Sequence, residues 1–167
     1  GDKITVDCGV IYEGMYTDSA VTYCMGNVES STRTFVKICQ KALYKGIAQV
    51  RPGNHLGDIG NAIETVVTNG GYHVIKDLVG HGIGEHLHEE PHVPNHGKKG
   101  SGIALKPGYT FAIEPIIGMN TGEIVTLEDG WTIVTQDHTL ACQWEHTILV
   151  TESGVEILTL RPNETMN

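Results

Sequence analysis

Residues Gly80 to Pro91 read Gly-His-Gly-Ile-Gly-Glu-His-Leu-His-Glu-Glu-Pro, and no other stretch narrows the choice of fold as sharply. Glycines on both sides of His81 mark a place where chain geometry, rather than packing, decides the residue. The segment gains meaning beside four carboxylates: Asp7, Asp18, Glu114 and Glu145. Asp7, Glu114 and Glu145 lie in the apolar, strand-like runs Ile4-Thr5-Val6-Asp7, Phe111-Ala112-Ile113-Glu114-Pro115 and Trp144-Glu145-His146-Thr147-Ile148. A buried, unpaired carboxylate costs about several kcal/mol, so acids in such places are paired, protonated or bound to metal. Four acids and one glycine-framed histidine form the ligand set of a site for two divalent cations.

The rest of the chain reads as α+β, an antiparallel or mixed sheet covered by two helices. Residues 3–11 alternate with strand periodicity and place Asp7 on one face with Thr5 and Gly9. Tyr12-Glu13-Gly14 supplies a turn, and a returning strand runs from Asp18 to Met25. A turn centred on Tyr12 and Glu13 sets Asp7 opposite Asp18, with Cβ atoms about 4.5–5.5 Å apart. Ser30 and Ser31 are N-cap candidates for a helix whose stripe is Phe35, Val36, Cys39, Ala42, Leu43 and Ile47. A second helix is expected from Leu56 to Thr68. Tyr72 to Leu78 reads as a strand leading into a glycine–histidine loop, and residues 91–107 as loop-rich. Further strands are expected over 109–117, 124–127, 131–135, 144–150 and 155–160.

Composition excludes several functions. Twenty acids against eleven Lys and Arg give a net charge of −9, which argues against a nucleic-acid partner or an anionic membrane surface. No apolar run approaches about 18 residues, and no signal peptide is visible. Cys8, Cys24, Cys39 and Cys142 are scattered among apolar neighbours, which predicts buried free thiols in a reducing compartment. Residues 1–167 fit one domain. The chain opens at Gly1, and Ile4-Thr5-Val6 is already strand-like, so it is expected to begin inside a fold.

Carboxylates with one imidazole and no thiolate suit Mn, Fe, Co or Zn in a catalytic rather than a structural site, without choosing among them. Water held between two such cations becomes a hydroxide nucleophile near neutral pH, and amide hydrolysis is its natural use. His86, His92 and His96 read as a polar loop without special chemistry.

Gly-His-Gly-Ile-Gly-x-x-Leu-His-Glu-Glu-Pro, Phe-Ala-Ile-Glu-Pro and Trp-Glu-His-Thr-Ile, with the hairpin bearing Asp7 and Asp18, resemble the signatures of methionine aminopeptidases. The short gap between Glu114 and Glu145, Asp129-Gly130-Trp131-Thr132 and Val93-Pro94-Asn95 resemble the type I class. The resemblance implies the pita-bread fold with its N-terminal part missing. It also implies removal of N-terminal methionine from nascent, ribosome-associated peptides by a cytoplasmic and, when complete, monomeric enzyme. Asp7 would chelate one metal, Asp18 and Glu145 would bridge both, and His81 and Glu114 would complete the coordination of the second metal. Glu114 would also shuttle the proton, and His88 would hydrogen-bond the scissile amide. Trp131 would wall the methionine pocket, as would Leu87, which stands where the family has Phe. Thr17 replaces a common glycine, and a further family histidine lies upstream of the position of Asp7. A prolidase or X-Pro aminopeptidase shares fold and ligands, and a binding module that has lost the chemistry is the rival from another class.

Overall fold

The structure, a computed structural model, describes residues 1–162 and Glu164. Strands β1 (Lys3–Tyr12) and β2 (Met15–Cys24) form a hairpin, followed by helices α1 (Ser30–Ile47) and α2 (Leu56–Asn69). Short strands follow: β3 (His73–Val74), β4 (Gly80–Gly82), β5 (Glu89–Val93), β6 (Thr110–Ile113) and β7 (Ile116–Gly118). The last five are β8 (Ile124–Thr126), β9 (Ile133–Thr135), β10 (Ala141–Gln143), β11 (His146–Val150) and β12 (Val155–Ile157).

The opening hairpin turns at Glu13–Gly14, whose φ values of 49° and 83° are both positive. That is the two-residue turn whose twist matches the flanking strands. The turn lies one residue later than the sequence suggests, and the register follows it: Asp18 pairs with Gly9, and Asp7 with Ala20. The two aspartates are therefore diagonal neighbours on one face rather than directly opposed.

Five strands in the order β12-β11-β6-β4-β5 make the largest sheet, and β10-β7-β3 a second; every strand pairing is antiparallel. The single strand expected over 109–117 is two, in different sheets. The break falls at Glu114-Pro115, where proline has no N–H to continue a ladder. Gly80-His81-Gly82 is not a loop but a strand between β6 and β5. Its glycines are obligatory, since a Cβ on Gly80 would lie 2.3 Å from the Ala112 carbonyl oxygen and one on Gly82 2.3 Å from that of Glu90.

Helix α1 begins at Ser30 itself, and its N-cap is Glu29, which makes no side-chain cap bond, so neither serine caps it. Arg33 ties the entry instead, its Nε donating to Val28 O and Nη2 to Gly26 O. Helix α2 opens on a reciprocal pair in which His55 N donates to Asp58 Oδ2 at 2.8 Å. The apolar stripes of both helices meet the sheets around Phe35, Leu43, Ile63, Phe111, Ile117 and Ile148, which are almost wholly excluded from solvent. Burial of this kind is the main source of stability, about 25 cal/mol per Å² of apolar surface. Among the described residues strand β1 has a partner on one edge only and leaves Ile4, Val6, Val10 and Ile11 exposed. For the same reason Cys8 is exposed; Cys24 is half-buried, so only Cys39 and Cys142 are the buried thiols that the sequence predicts.

Candidate metal centre

Four chain segments converge beneath the opening hairpin. Asp18 stands on β2, His81 on β4, Glu114 just past β6, and Glu145 just before β11. Thr147 straps the first to the last: its Oγ1 accepts a hydrogen bond from Asp18 N and donates one to Asp18 O, both at 2.8 Å. Glu145 N donates to Ala20 O at 2.9 Å, so the backbones carrying Asp18 and Glu145 are fixed to each other.

One ligand atom each from Asp18, His81 and Glu145 lies within 4.8 Å of the others. His81 Nε2 is 3.5 Å from Glu114 Oε1 and 4.0 Å from Asp18 Oδ2. The other ring nitrogen, Nδ1, is 2.9 Å from Gly82 O. A carbonyl can only accept, so Nδ1 carries the proton and Nε2 turns a lone pair toward the acids. Burial holds His81 below the ordinary histidine range, which keeps the ring neutral. A lone pair facing two carboxylates is repulsive unless a proton or a cation lies among them.

The acids show the same strain. Burial, with Asp7 and Asp18 nearby, pushes Glu114 up to about 8. Burial, with Glu114, Asp18 and Asp7 nearby, pushes Glu145 up to about 10. Asp18 rises to about 6 through burial and then the charge of Asp7. Among the described residues no Lys or Arg pairs with any of the four, and Glu145 Oε2 is buried with no hydrogen-bond partner. Acid-rich oxygen donors, one neutral imidazole and an orphaned buried oxygen fit divalent metal.

Asp7 is the exception. The sequence predicts an acid in apolar surroundings, whereas Asp7 is exposed on β1 and it is Asp18 that is 8 % exposed. The reason is the free edge of β1: β2 packs on the core and β1 does not. Asp7 nevertheless reaches the centre, its carboxyl beside those of Asp18 and Glu145, and Gln143 Nε2 donates to Asp7 Oδ2 at 3.0 Å and to Glu114 Oε2 at 3.3 Å.

His88 lies beside the acids, its ring centroid 4.4 Å from that of His81. Both line a cavity of about 430 Å³ with Glu114, Leu78, Ile116 and His92. Leu87 is half-buried, and its Cδ1 lies close to Gly9 of β1. Trp131 is not brought to this cavity; it is 88 % exposed in the turn between β8 and β9. His86 and His92 are exposed, and His92 sits 3.6 Å from Glu90 in open solvent. Gln143 and Thr147 escape a reading of the sequence by residue type. The signal was alternation, since Gln143, Glu145 and Thr147 fall on one face of an extended chain.

Acids gathered around one neutral imidazole on this fold fit a metalloprotein, and comparison with known proteins gives the family. The sequence pattern of metallopeptidase family M24 matches residues 1–152, and the chain belongs to that family. Methionine aminopeptidase B of Synechocystis is 44 % identical over 160 residues, covering 96 % of this chain and 58 % of that protein. The crystal structure of methionine aminopeptidase from Thermotoga maritima matches with a TM-score of 0.94 at 44 % identity, over 96 % of this chain and 65 % of its own. The prolidase from Pyrococcus furiosus matches with a TM-score of 0.75 at 22 % identity, over 98 % of this chain and 42 % of its own, and shares the fold alone. The fold is the pita-bread fold of these enzymes. This chain spans between 58 % and 65 % of the length of the two aminopeptidases.

Proposed function

We propose that this chain carries the metal centre of a type I methionine aminopeptidase, acting on the N-terminal methionine of nascent cytoplasmic peptides as a monomer when complete. The observation that carries the reading is the neutral Nε2 of His81 facing Asp18, Glu114 and Glu145, with Asp7, which accepts from Gln143, beside them. Asp7, Asp18, His81, Glu114 and Glu145 would hold two divalent ions. Such ions supply Lewis acidity and lower the pKa of bound water to about 7.

The residues divide the remaining work. Glu114, 3.5 Å from His81 Nε2 and kept ionised when cations are bound, accepts the proton of the attacking water at its carboxylate and returns it to the departing amine. His88, 4.4 Å from His81 ring to ring, donates to the scissile amide as that group becomes tetrahedral. Leu78 and Ile116 give the cavity an apolar side against which a substrate side chain can lie. Leu87 and Trp131 contribute to methionine selection, Trp131 only if a substrate side chain draws it from solvent.

The test is Met-Ala-Ser hydrolysis with Mn(II) or Co(II), against an EDTA control, a Glu114→Ala variant and an X-Pro peptide. The expected result is chelator-sensitive release of methionine, lost in Glu114→Ala, with the X-Pro peptide untouched. Absence of cleavage by the chain, both alone and joined to the N-terminal portion of a longer relative, would end the aminopeptidase reading. Preference for the X-Pro peptide would move the chain to the prolidase branch.

A further inference from the structure

The five candidate ligands are not held equally. Asp18 and Glu145 are locked through Thr147 and Ala20, and His81 through Gly82 O. Glu114 is anchored by Asn95, whose Nδ2 donates to Glu114 O at 2.9 Å. Asp7 stands on the free-edged strand β1, and the hydrogen bond that its Oδ2 accepts comes from Gln143 Nε2.

Gln143 is itself well held. It lies on β10, pairs with Ile116 of β7, and is gripped by Thr22 Oγ1, which donates to Gln143 O at 2.7 Å and accepts from Gln143 N at 3.3 Å. From this fixed backbone one nitrogen spends its two protons on two different carboxylates. When both are ionised, as bound cations require, they can only accept, so the nitrogen end of the carboxamide faces them.

We propose that Gln143 is the positioning residue for the outer cation, its carboxamide tying the exposed Asp7 to the Glu114 side of the centre so that an arriving ion finds Asp7 aimed. This rests on the reading of the site as a two-cation centre. The inner cation, at His81 and Glu114 with Asp18 and Glu145 shared, does not need Gln143, because the backbones of Asp18, Glu114 and Glu145 and the ring of His81 are fixed by other contacts. An ion at the outer position leaves the amide in place, since each carboxylate oxygen has a second lone pair. Outer partners of this kind alter metal affinity about 10–100-fold when removed.

The test is calorimetric titration of Mn(II) into the chelator-stripped 167-residue chain, its Gln143→Met and Asp7→Asn variants, and the double variant. Methionine keeps the length of the side chain and loses the donors, and circular dichroism checks that each variant is folded. The wild type is expected to bind in two steps. In Gln143→Met the weaker step should lose about 10–100-fold while the tighter step stays. In the Asp7→Asn background, Gln143→Met should change nothing further, because the two act as one unit. An unchanged weaker step, equal weakening of both steps, or additive losses in the double variant would overturn the inference. A wild type that binds one ion also overturns it while leaving the inner position standing. A wild type that binds none removes the two-cation reading itself, a result distinct from all of these.

Discussion

The two strands of the opening hairpin carry the same kind of residue into the same centre under opposite conditions. Asp18 on β2 is 8 % exposed, strapped by Thr147 and pushed up to about 6 by burial and by Asp7. Asp7 on β1 is exposed, on an edge whose apolar residues also face solvent. The buried side of the site gains rigidity at the cost of crowding acids together, and metal is what relieves the crowding. The exposed side has little burial to fix its ligand, so a single amide does it. The lesson is that a ligand set can be read as one list and still be built in two ways.

The sharpest way to break the contrast is His81→Ala, which removes the one neutral donor from the buried side. Saturable Mn(II) binding at the tighter step is expected to vanish, read by calorimetry, whereas Asp7→Asn should spare it. Equal losses from the two would erase the distinction.

Acidity offers the next test. Asp18, Glu114 and Glu145 titrate in the folded chain at about 6, 8 and 10, above the ordinary carboxylate range. The folded chain therefore keeps protons that the unfolded chain has shed. That stabilisation is complete below the ordinary carboxylate range and is lost as pH rises through those three values. The Tm of the chelated chain should fall across that window, and Mn(II) should flatten the fall because the ions favour the deprotonated acids. A Tm that is level in EDTA over the same range would contradict the crowding of acids.

Smaller effects should separate the two strands by stability alone. Thr147→Val leaves Asp18 N and O without their side-chain partner in a buried site, a loss of about 1–3 kcal/mol measured by urea unfolding. Ile11→Ala on the exposed edge should stay within about 0.5 kcal/mol, as should Trp131→Ala. A cost at Ile11 to match that at Thr147 would mean that β1 is packed and that its edge is not free.

Much of this was legible in the sequence, for reasons that name its limits. The glycines around His81 and the acids in apolar runs marked the centre because burying such groups is costly enough to leave a trace in residue choice. The stripes of both helices were visible because Phe35, Leu43, Ile59 and Ile63 follow helical spacing. The hairpin register was not legible: a one-residue shift of the turn to Glu13–Gly14 moves every partner by two. The split of 109–117 into two sheets turned on Pro115, which a periodicity count overlooks. The exposure of Asp7 depended on whether β1 has a second neighbour, a tertiary fact with no local signature. Gln143 was missed because an amide is unremarkable in a sequence until two carboxylates are seen to share its nitrogen.

The central claim is that these five side chains hold two divalent cations, and diffraction answers it most directly. Crystals of the chain grown with Mn(II), measured at the metal's absorption edge, should show two anomalous peaks. The inner one is expected beside His81 and Glu114, and the outer one beside Asp7, with Asp18 and Glu145 between them. No peak at the centre, or peaks confined to exposed groups such as His86 and His92, would contradict the account.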